Sequence, residues 1–227
     1  MKKAVVLLSG GLDSTTCLAA AINDGYEVYP LSFDYSQRHD RELKCAVSIV
    51  DHYKIKTHKV IKIDNVGGSA LTDNDIDVPE YKGTSDIPVT YVPARNIIFL
   101  SYATGYAEVV GAEAIYIGVN AIDYSGYPDC RPEFISAFEQ MIKVGTKSGV
   151  EGDPVKIITP LIHMTKAEII KFASGVQAPL HFTTSCYNGK EKACGVCDSC
   201  ILRLKGFREA GIEDPIEYEV KVTPSLD

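Results

Sequence analysis

Two parts of the sequence combine residue types that can do chemistry. Residues 9–14 read Ser-Gly-Gly-Leu-Asp-Ser, and four cysteines crowd into residues 186–200. The first part offers small residues, hydroxyl groups and a carboxylate, which together suit a phosphate group and its metal ion. The second part offers four thiol groups, which are soft ligands for a metal.

The first part lies between a predicted strand and a predicted helix. Residues 4–8 are a continuous apolar run, which is typical of a strand buried in a parallel sheet, and a helical pattern begins at Thr15. The two glycines between them let the chain turn sharply and let a ligand approach the backbone. We expect Ser14 or Asp13 to cap the helix, whose first amides would then form a phosphate site.

The glycine motif differs from the Walker A loop and from Gly-x-Gly-x-x-Gly. It resembles the pyrophosphate loop of the PP-loop, or N-type, ATP pyrophosphatases, which adenylate an oxygen and expel pyrophosphate. The alternative is an ordinary strand-to-helix turn. The resemblance implies that Asp13 holds Mg²⁺ and that ATP is bound by Leu8, Ser9, Gly10, Gly11, Leu12, Asp13, Ser14 and Thr15.

The four crowded cysteines have the spacing C-x7-C-x2-C-x2-C and are Cys186, Cys194, Cys197 and Cys200. Such a set favours a tetrahedral zinc site, and its closed coordination predicts a structural role. The alternative is an iron–sulfur cluster, but the ferredoxin run has its next cysteine three residues on, followed by proline. Here Cys200 is followed by Ile-Leu-Arg, so zinc is the favoured metal.

Composition narrows the class of protein. The chain has 227 residues, of which 45% are apolar and 23% charged, and its formal net charge is -7. These values predict a globular domain with at most one appendage, and the acidic charge speaks against stable nucleic-acid binding. No apolar run approaches the ~18 residues of a membrane span. The apolar run after Lys3 is too short for a signal peptide, so we expect a cytoplasmic protein without a membrane partner.

Strands and helices are predicted to alternate along the chain. This alternation predicts an α/β fold, a parallel five-stranded sheet with helices on both faces, followed by a small C-terminal zinc-binding helical appendage. The predicted domain boundaries are residues 1–175, 176–212 and 213–227, the last being a tail. The predicted strands are residues 4–8, 28–33, 59–63, 114–119 and 155–158, and the predicted helices after the first are residues 39–53, 95–110, 132–144 and 165–173.

Ligands of such sheets bind at the carboxyl ends of the strands, so polar residues there are candidates for the site. Arg95 opens a predicted helix and has the forked geometry to grip a phosphate or a carboxylate. Lys166 lies in the first turn of a helix, where the dipole disfavours a cation, which suggests a contact with phosphates. A covalent role for Cys130 is disfavoured because adenylation requires no thiol. In each case the alternative is a solvated loop or surface side chain.

Taken together, the motifs resemble those of the 7-cyano-7-deazaguanine (preQ0) synthase family of PP-loop enzymes. The matching segments are SGGLDST at 9–15, YSQRH at 35–39, VPARN at 92–96, DYSGYPDCR at 123–131, TPL at 159–161 and the terminal cysteines. The resemblance implies a homodimeric ligase that converts 7-carboxy-7-deazaguanine and ammonia to the nitrile with two molecules of ATP.

By the same resemblance, the catalytic residues are expected to be Ser9, Asp13, Arg95 and Lys166. The substrate is expected to contact Gln37, Arg38, Arg95, Asp129 and Arg131. Two alternatives stay open, which are another PP-loop enzyme such as a tRNA-thiolating or amidating synthetase, and a zinc-containing nucleotide-binding protein without activity.

Overall fold

A five-stranded parallel sheet forms the centre of the computed structural model, with strand order β3-β2-β1-β4-β5. The structure describes residues 1–35, 40–64, 67–73, 75–76, 87–122 and 126–220. The strands are β1 (Lys3–Leu7), β2 (Glu27–Asp34), β3 (Lys59–Lys62), β4 (Ala114–Tyr116) and β5 (Lys156–Ile158). The parallel sheet predicted from the apolar runs is thereby confirmed, although β4 is shorter than predicted.

Seven α-helices connect and cover the strands within the described part of the chain. They are α1 (Leu12–Asn23), α2 (Arg41–His52), α3 (Arg95–Val110), α4 (Pro132–Gly145), α5 (Lys147–Val150), α6 (Lys166–Gly175) and α7 (Asp198–Ala210). No helix in the described ranges is long and apolar enough to cross a membrane.

The sheet separates two hydrophobic cores, because successive side chains of a strand point to opposite faces. Ala4 and Val6 of β1 belong to the core that α1, α6 and α7 cover. Val5 belongs to the other core, which α3 and α4 cover through residues such as Leu100 and Phe138. Helices therefore lie on both faces, as the sequence predicts.

Two helix starts differ in how well the sequence predicts them. Thr165 and Glu168 form the expected capping box at the start of α6. At α1 the expected cap by Ser14 or Asp13 is wrong, because the helix already begins at Leu12 with Gly11 as its N-cap. The hydroxyl of Ser14 instead donates back to the carbonyl oxygen of Gly11, at 3.1 Å.

The C-terminal region is attached to the α/β core through α7, whose neighbour in the core is α6. Part of the segment predicted as a tail is packed here. The carboxylate of Asp214 forms a buried ion pair with Arg203 of α7. Ala193 forms a β-bridge with Tyr218, in which its amide donates to the carbonyl of Glu217 and its carbonyl accepts from the amide of Glu219. Residues 221–227 lie outside the described residues.

Candidate active site and metal centre

A cavity of about 350 Å³ opens at the carboxyl ends of β1 and β4. Its size lies within the range of small-molecule pockets, roughly 300–1,000 Å³. Its wall includes the loop after β1, residues 117–120 after β4, and residues 184–187 at the start of the cysteine cluster. This is the edge of the sheet at which the sequence places the ligand.

The loop after β1 is held tightly against α2. Gly10 has a φ of +89°, and a Cβ atom there would lie 2.2 Å from the carbonyl oxygen of Glu42 and 2.8 Å from the amide of Ala46. No side chain fits at such distances, so Gly10 is required for both its conformation and its lack of a side chain. The close contact fixes the position of the residues that follow.

The hydroxyl groups of the loop are joined to each other. The Oγ atoms of Ser9 and Ser14 are 3.0 Å apart, the amide of Gly11 donates to Ser9 Oγ, and Thr15 Oγ1 donates to the carbonyl of Gly11. Gly11 has no side chain to cap α1, and residues 11–14 line the cavity. Amides at an uncapped helix start bind anions well, so the loop suits the phosphates of a nucleotide.

Asp13 and Lys166 come together beside this loop, although they are far apart in the sequence. Nζ of Lys166 lies 2.9 Å from each carboxylate oxygen of Asp13, and both residues line the cavity. The side chain of Lys166 is 18% exposed and that of Asp13 is 27% exposed. Both polar ends therefore remain within reach of a ligand in the cavity.

Arg95, the first residue of α3, lines the same cavity. Burial opposes its charge, but interactions with the hydroxyl groups of Tyr35 and Tyr127 raise the pKa of the guanidinium above its ordinary value. The arginine is therefore a permanent cation in a largely buried setting. Such a group is suited to a carboxylate or a phosphate.

Aromatic rings form an adjacent part of the cavity wall. Phe33 and Phe99 stack with ring centroids 4.0 Å apart and planes inclined by 3°, and Tyr35 meets Phe99 edge-on at 5.5 Å. All three line the cavity. A flat apolar wall next to a guanidinium suits a planar heterocycle that carries an acidic group.

The other expected substrate contacts are placed differently. Asp129 is buried, and its carboxylate accepts a 3.0 Å hydrogen bond from the amide of Asn96 at the start of α3. Arg131 is the N-cap residue of α4, and neither residue belongs to the cavity lining. Gln37 and Arg38 lie outside the described residues.

Two tyrosines also line the cavity: Tyr127 belongs to the loop after β4 that the sequence predicts as part of the pocket, whereas Tyr187 is not expected there from the sequence. Tyr127 lines the cavity and its hydroxyl lies 2.8 Å from Thr90 Oγ1. Tyr187 lines it as well, and burial, followed by the charge and hydrogen bonding of Tyr127, raises its pKa well above the ordinary value. The only signal for Tyr187 in the sequence is its place beside Cys186.

The four crowded cysteines converge on one point. Their Sγ atoms all lie within 4.8 Å of one another, and all four side chains are buried. Backbone amides donate to the sulfurs, as that of Cys194 does to Cys186 Sγ at 3.3 Å and that of Cys197 to Cys194 Sγ at 3.4 Å. Zn–S bonds of about 2.3 Å place tetrahedral sulfurs about 3.8 Å apart, so the group fits a zinc ion.

The parallel sheet, the glycine loop after its first strand and the cavity at its carboxyl edge define a nucleotide-binding α/β protein of the PP-loop class. Two solved structures share this fold. NMN synthetase from Francisella tularensis superimposes with a TM-score of 0.51 at 14% identity, covering 93% of this chain and 78% of that one. A 4-thiouridine synthetase in complex with RNA and ATP gives a TM-score of 0.50 at 19% identity, covering 92% and 50%.

Sequence relatives are much closer. The model of the family described as queuosine biosynthesis protein QueC matches residues 3–211, and the chain belongs to this family. A 7-cyano-7-deazaguanine synthase from Acetivibrio thermocellus is 73% identical over 218 residues, covering 96% of this chain and 98% of that protein. Another from Coxiella burnetii is 56% identical over 226 residues, covering 98% and 100%.

Proposed function

We propose that this protein catalyses the reaction of a 7-cyano-7-deazaguanine synthase. It is an ATP-dependent ligase that converts 7-carboxy-7-deazaguanine and ammonia to the nitrile through adenylated carboxylate and amide intermediates. The observation that supports this most is that one cavity combines the glycine loop with Arg95 and the stacked rings of Phe33 and Phe99. The nearly full-length relatives named for this activity support it further.

The chemistry explains why ATP is needed. A carboxylate is a poor electrophile because its oxygen is a poor leaving group, and transfer of AMP to that oxygen makes it a good one. Ammonia then displaces AMP and gives an amide. A second adenylation, on the amide oxygen, allows loss of AMP to leave the nitrile.

The protein's main task is to place the substrate oxygen in line with the α-phosphate and to stabilise the departing pyrophosphate. The amides at the start of α1 and the hydroxyls of Ser9 and Ser14 would hold the pyrophosphate portion. Lys166 would balance its growing negative charge. Arg95, which lines the same cavity, would orient the substrate carboxylate while the aromatic rings hold the heterocycle.

A magnesium ion belongs to this proposal, with Asp13 as its ligand. The fit rests on the carboxylate, which lies in the cavity wall beside the phosphate loop and is 27% exposed. Carboxylates and phosphate oxygens are the ligands that Mg²⁺ prefers. Each oxygen of Asp13 that accepts from Lys166 has a further lone pair, so the carboxylate would bind the ion while Nζ of Lys166 stays between it and the phosphates.

A structural zinc ion, one per chain, is the second metal of the proposal. The four sulfurs leave no open position for a substrate, and the amide donors around them favour thiolates.

We also propose a cytoplasmic homodimer. The resemblance to the synthase family supports the dimer.

The proposal is tested by incubating the purified protein with 7-carboxy-7-deazaguanine, ATP and ammonium, and by following products by mass. We expect the nitrile and AMP. Ser9→Ala and Asp13→Ala should abolish turnover without changing the melting temperature much, whereas Asp51→Ala, at an exposed carboxylate of α2, should remain active. AMP release only with tRNA would indicate a different PP-loop enzyme, and an active Asp13→Ala variant would refute the magnesium ligand.

A further inference from the structure

One face of α7 runs from the cysteine cluster to the wall of the cavity. Cys200, Arg203 and Gly206 are spaced three residues apart and are all buried. Cys200 belongs to the cluster, and Arg203 donates to Thr183 Oγ1 at 2.8 Å. Gly206 lies against Lys166 of α6.

The contact at Gly206 leaves no room for a side chain. A Cβ atom there would lie 2.4 Å from Cγ and 2.9 Å from Cβ of Lys166, and 3.0 Å from Cδ1 of Ile170. The isoleucine atom is the end of a flexible side chain and can move away. The lysine atoms are the base of its stem, so relief of the contact requires a new rotamer or a shift of α6.

Backbone conformation gives no reason for a glycine at this position. Gly206 lies inside α7 and is not among the residues with a positive φ. Alanine is a better helix former than glycine, so helix stability alone would favour a side chain here. The reason that remains is the close approach of the lysine stem.

The aliphatic stem of Lys166 determines where its ammonium group lies. The stem packs against Gly206 at its base, and its other end reaches the cavity, where Nζ donates to both oxygens of Asp13 at 2.9 Å. A change of rotamer at the base of a lysine moves its Nζ by several bond lengths. The contact with α7 therefore fixes the direction in which the cation enters the site.

We propose that Gly206 is a positioning residue, which lets the stem of Lys166 pack on α7 and so aims the ammonium group at Asp13 and at the phosphates of bound ATP. This inference rests on the catalytic role proposed for Lys166. It makes the metal-binding appendage a part of the active site, since the helix that carries Cys200 also sets the position of a catalytic cation.

The test compares Gly206→Ala with Gly105→Ala. Gly105 is an exposed residue inside α3, where an added Cβ meets nothing within 4 Å, so it controls for the gain in helix propensity. We expect Gly206→Ala to lower kcat on the order of 100-fold with little change in KM for ATP, because misplacement of the cation weakens an interaction made in the transition state. Gly105→Ala should keep the original kcat and KM.

A double-variant cycle with Lys166→Ala separates positioning from a general structural effect. Lys166→Ala removes the Cγ atom that makes the closest contact, so Gly206→Ala should lower the melting temperature less in that background. It should also cause no further loss of kcat there. Independent effects that multiply would overturn the proposal, and so would a Gly206→Ala variant with unchanged kcat.

A ligand-free crystal structure gives a readout that does not depend on the reaction. In Gly206→Ala we expect Nζ of Lys166 beyond hydrogen-bonding distance of Asp13, and an intact contact would overturn the proposal. If Gly206→Ala does not fold, recovery of folding in the double variant supports the lysine contact, whereas failure of both assigns the glycine to packing alone. The structural readouts hold even if the substrate proves to be a different one.

Discussion

The amide of Thr184 donates a hydrogen bond to the carbonyl oxygen of Gly10, at 3.1 Å. This bond joins the segment before Cys186, a member of the cysteine cluster, to the centre of the glycine loop. The carbonyl oxygen of Thr184 would also lie only 3.5 Å from a Cβ atom at Gly11. The cysteine cluster and the proposed nucleotide site are therefore in direct contact through Thr184. A change in the folding of the cluster should alter the position of the glycine loop.

Removal of the metal should thus weaken nucleotide binding. A structural zinc site contributes on the order of 10 kcal/mol to local folding, so its loss should release Thr184 from the loop. We expect a chelator strong enough to extract the metal to lower both the melting temperature and ATP affinity by calorimetry, and Zn²⁺ to restore both. Unchanged ATP affinity in metal-free protein would contradict the coupling through Thr184, and metal analysis that finds iron would contradict zinc.

Gly10→Ala should destabilise the fold far more than Gly25→Ala. Both glycines have a positive φ, +89° and +82°, so each alanine meets a strain of about 1–2 kcal/mol. At Gly25 nothing lies within 4 Å, but at Gly10 the Cβ would meet the carbonyl oxygen of Glu42 at 2.2 Å. Overpacking adds about 1–3 kcal/mol more, and urea unfolding measures the difference. Equal losses in the two variants would show that Gly10 is needed only for its φ.

The buried ion pair of Arg203 predicts a second large loss of stability. Its Nε and Nη2 atoms bond the two oxygens of Asp214 at 2.8 and 2.9 Å, and the two side chains are 2% and 7% exposed. Arg203→Met should cost roughly 3–5 kcal/mol, because the carboxylate is left buried without its partner. Lys205→Met on the same helix breaks an exposed pair with Glu209 and should cost about 0.3–0.5 kcal/mol.

Comparison of Arg203→Met with Lys205→Met also shows which region of the chain the ion pair stabilises. Thermal unfolding of Arg203→Met should start with the region that Arg203 connects, which includes Thr183 and Asp214. Limited proteolysis with mapping of the first cuts checks this. First cuts in the sheet, or a loss no larger than that of Lys205→Met, would show that the ion pair does not hold the C-terminal region in place.

The lowered pKa of His58 should make the stability of the fold depend on pH. Burial lowers the pKa of His58 below 6.5, against a smaller raising effect of Asp51, and Nε2 lies 2.8 Å from Oγ of buried Ser32. The unfolded chain therefore binds a proton more readily than the folded one, so stability should fall as pH drops below about 6.5. His58→Gln keeps an amide near Ser32 but should flatten this decline, whereas exposed His163→Gln should not. An unaltered pH profile of His58→Gln would contradict the assignment.

The sequence predicts the features whose cause is local. Apolar runs and helical periodicity identify the five strands and their helices because burial on a sheet requires those patterns. The cysteine spacing identifies the four-cysteine cluster, because four thiols within 15 residues can meet without help from the rest of the fold. The capping box of Thr165 and Glu168 is also local, since it lies within four consecutive residues.

Features that depend on distant packing could not be predicted in the same way. The carboxylate of Asp129 is directed to the amide of Asn96 because two segments meet there, and neither segment contains a signal of that contact. The same holds for Thr184 and Gly10, and for the space that Gly206 leaves beside Lys166. Polar residues at the carboxyl edge of the sheet are therefore good candidates as a group, but their individual roles follow only from the packed structure.

Cys130 should remain a thiol during the reaction. Its side chain lines the cavity, and Nδ2 of Asn96 lies 3.3 Å from its Sγ. Burial, reinforced by the charge of Asp129, raises its pKa to about 11. At pH 8 the thiolate fraction should be on the order of 100-fold below that of an ordinary cysteine, so iodoacetamide should label Cys130 slowly, and faster as pH rises toward 11. Peptide mass spectrometry measures this rate. Cys130→Ser should keep most of the turnover, whereas rapid labelling at neutral pH together with an inactive Cys130→Ser variant would indicate a nucleophile.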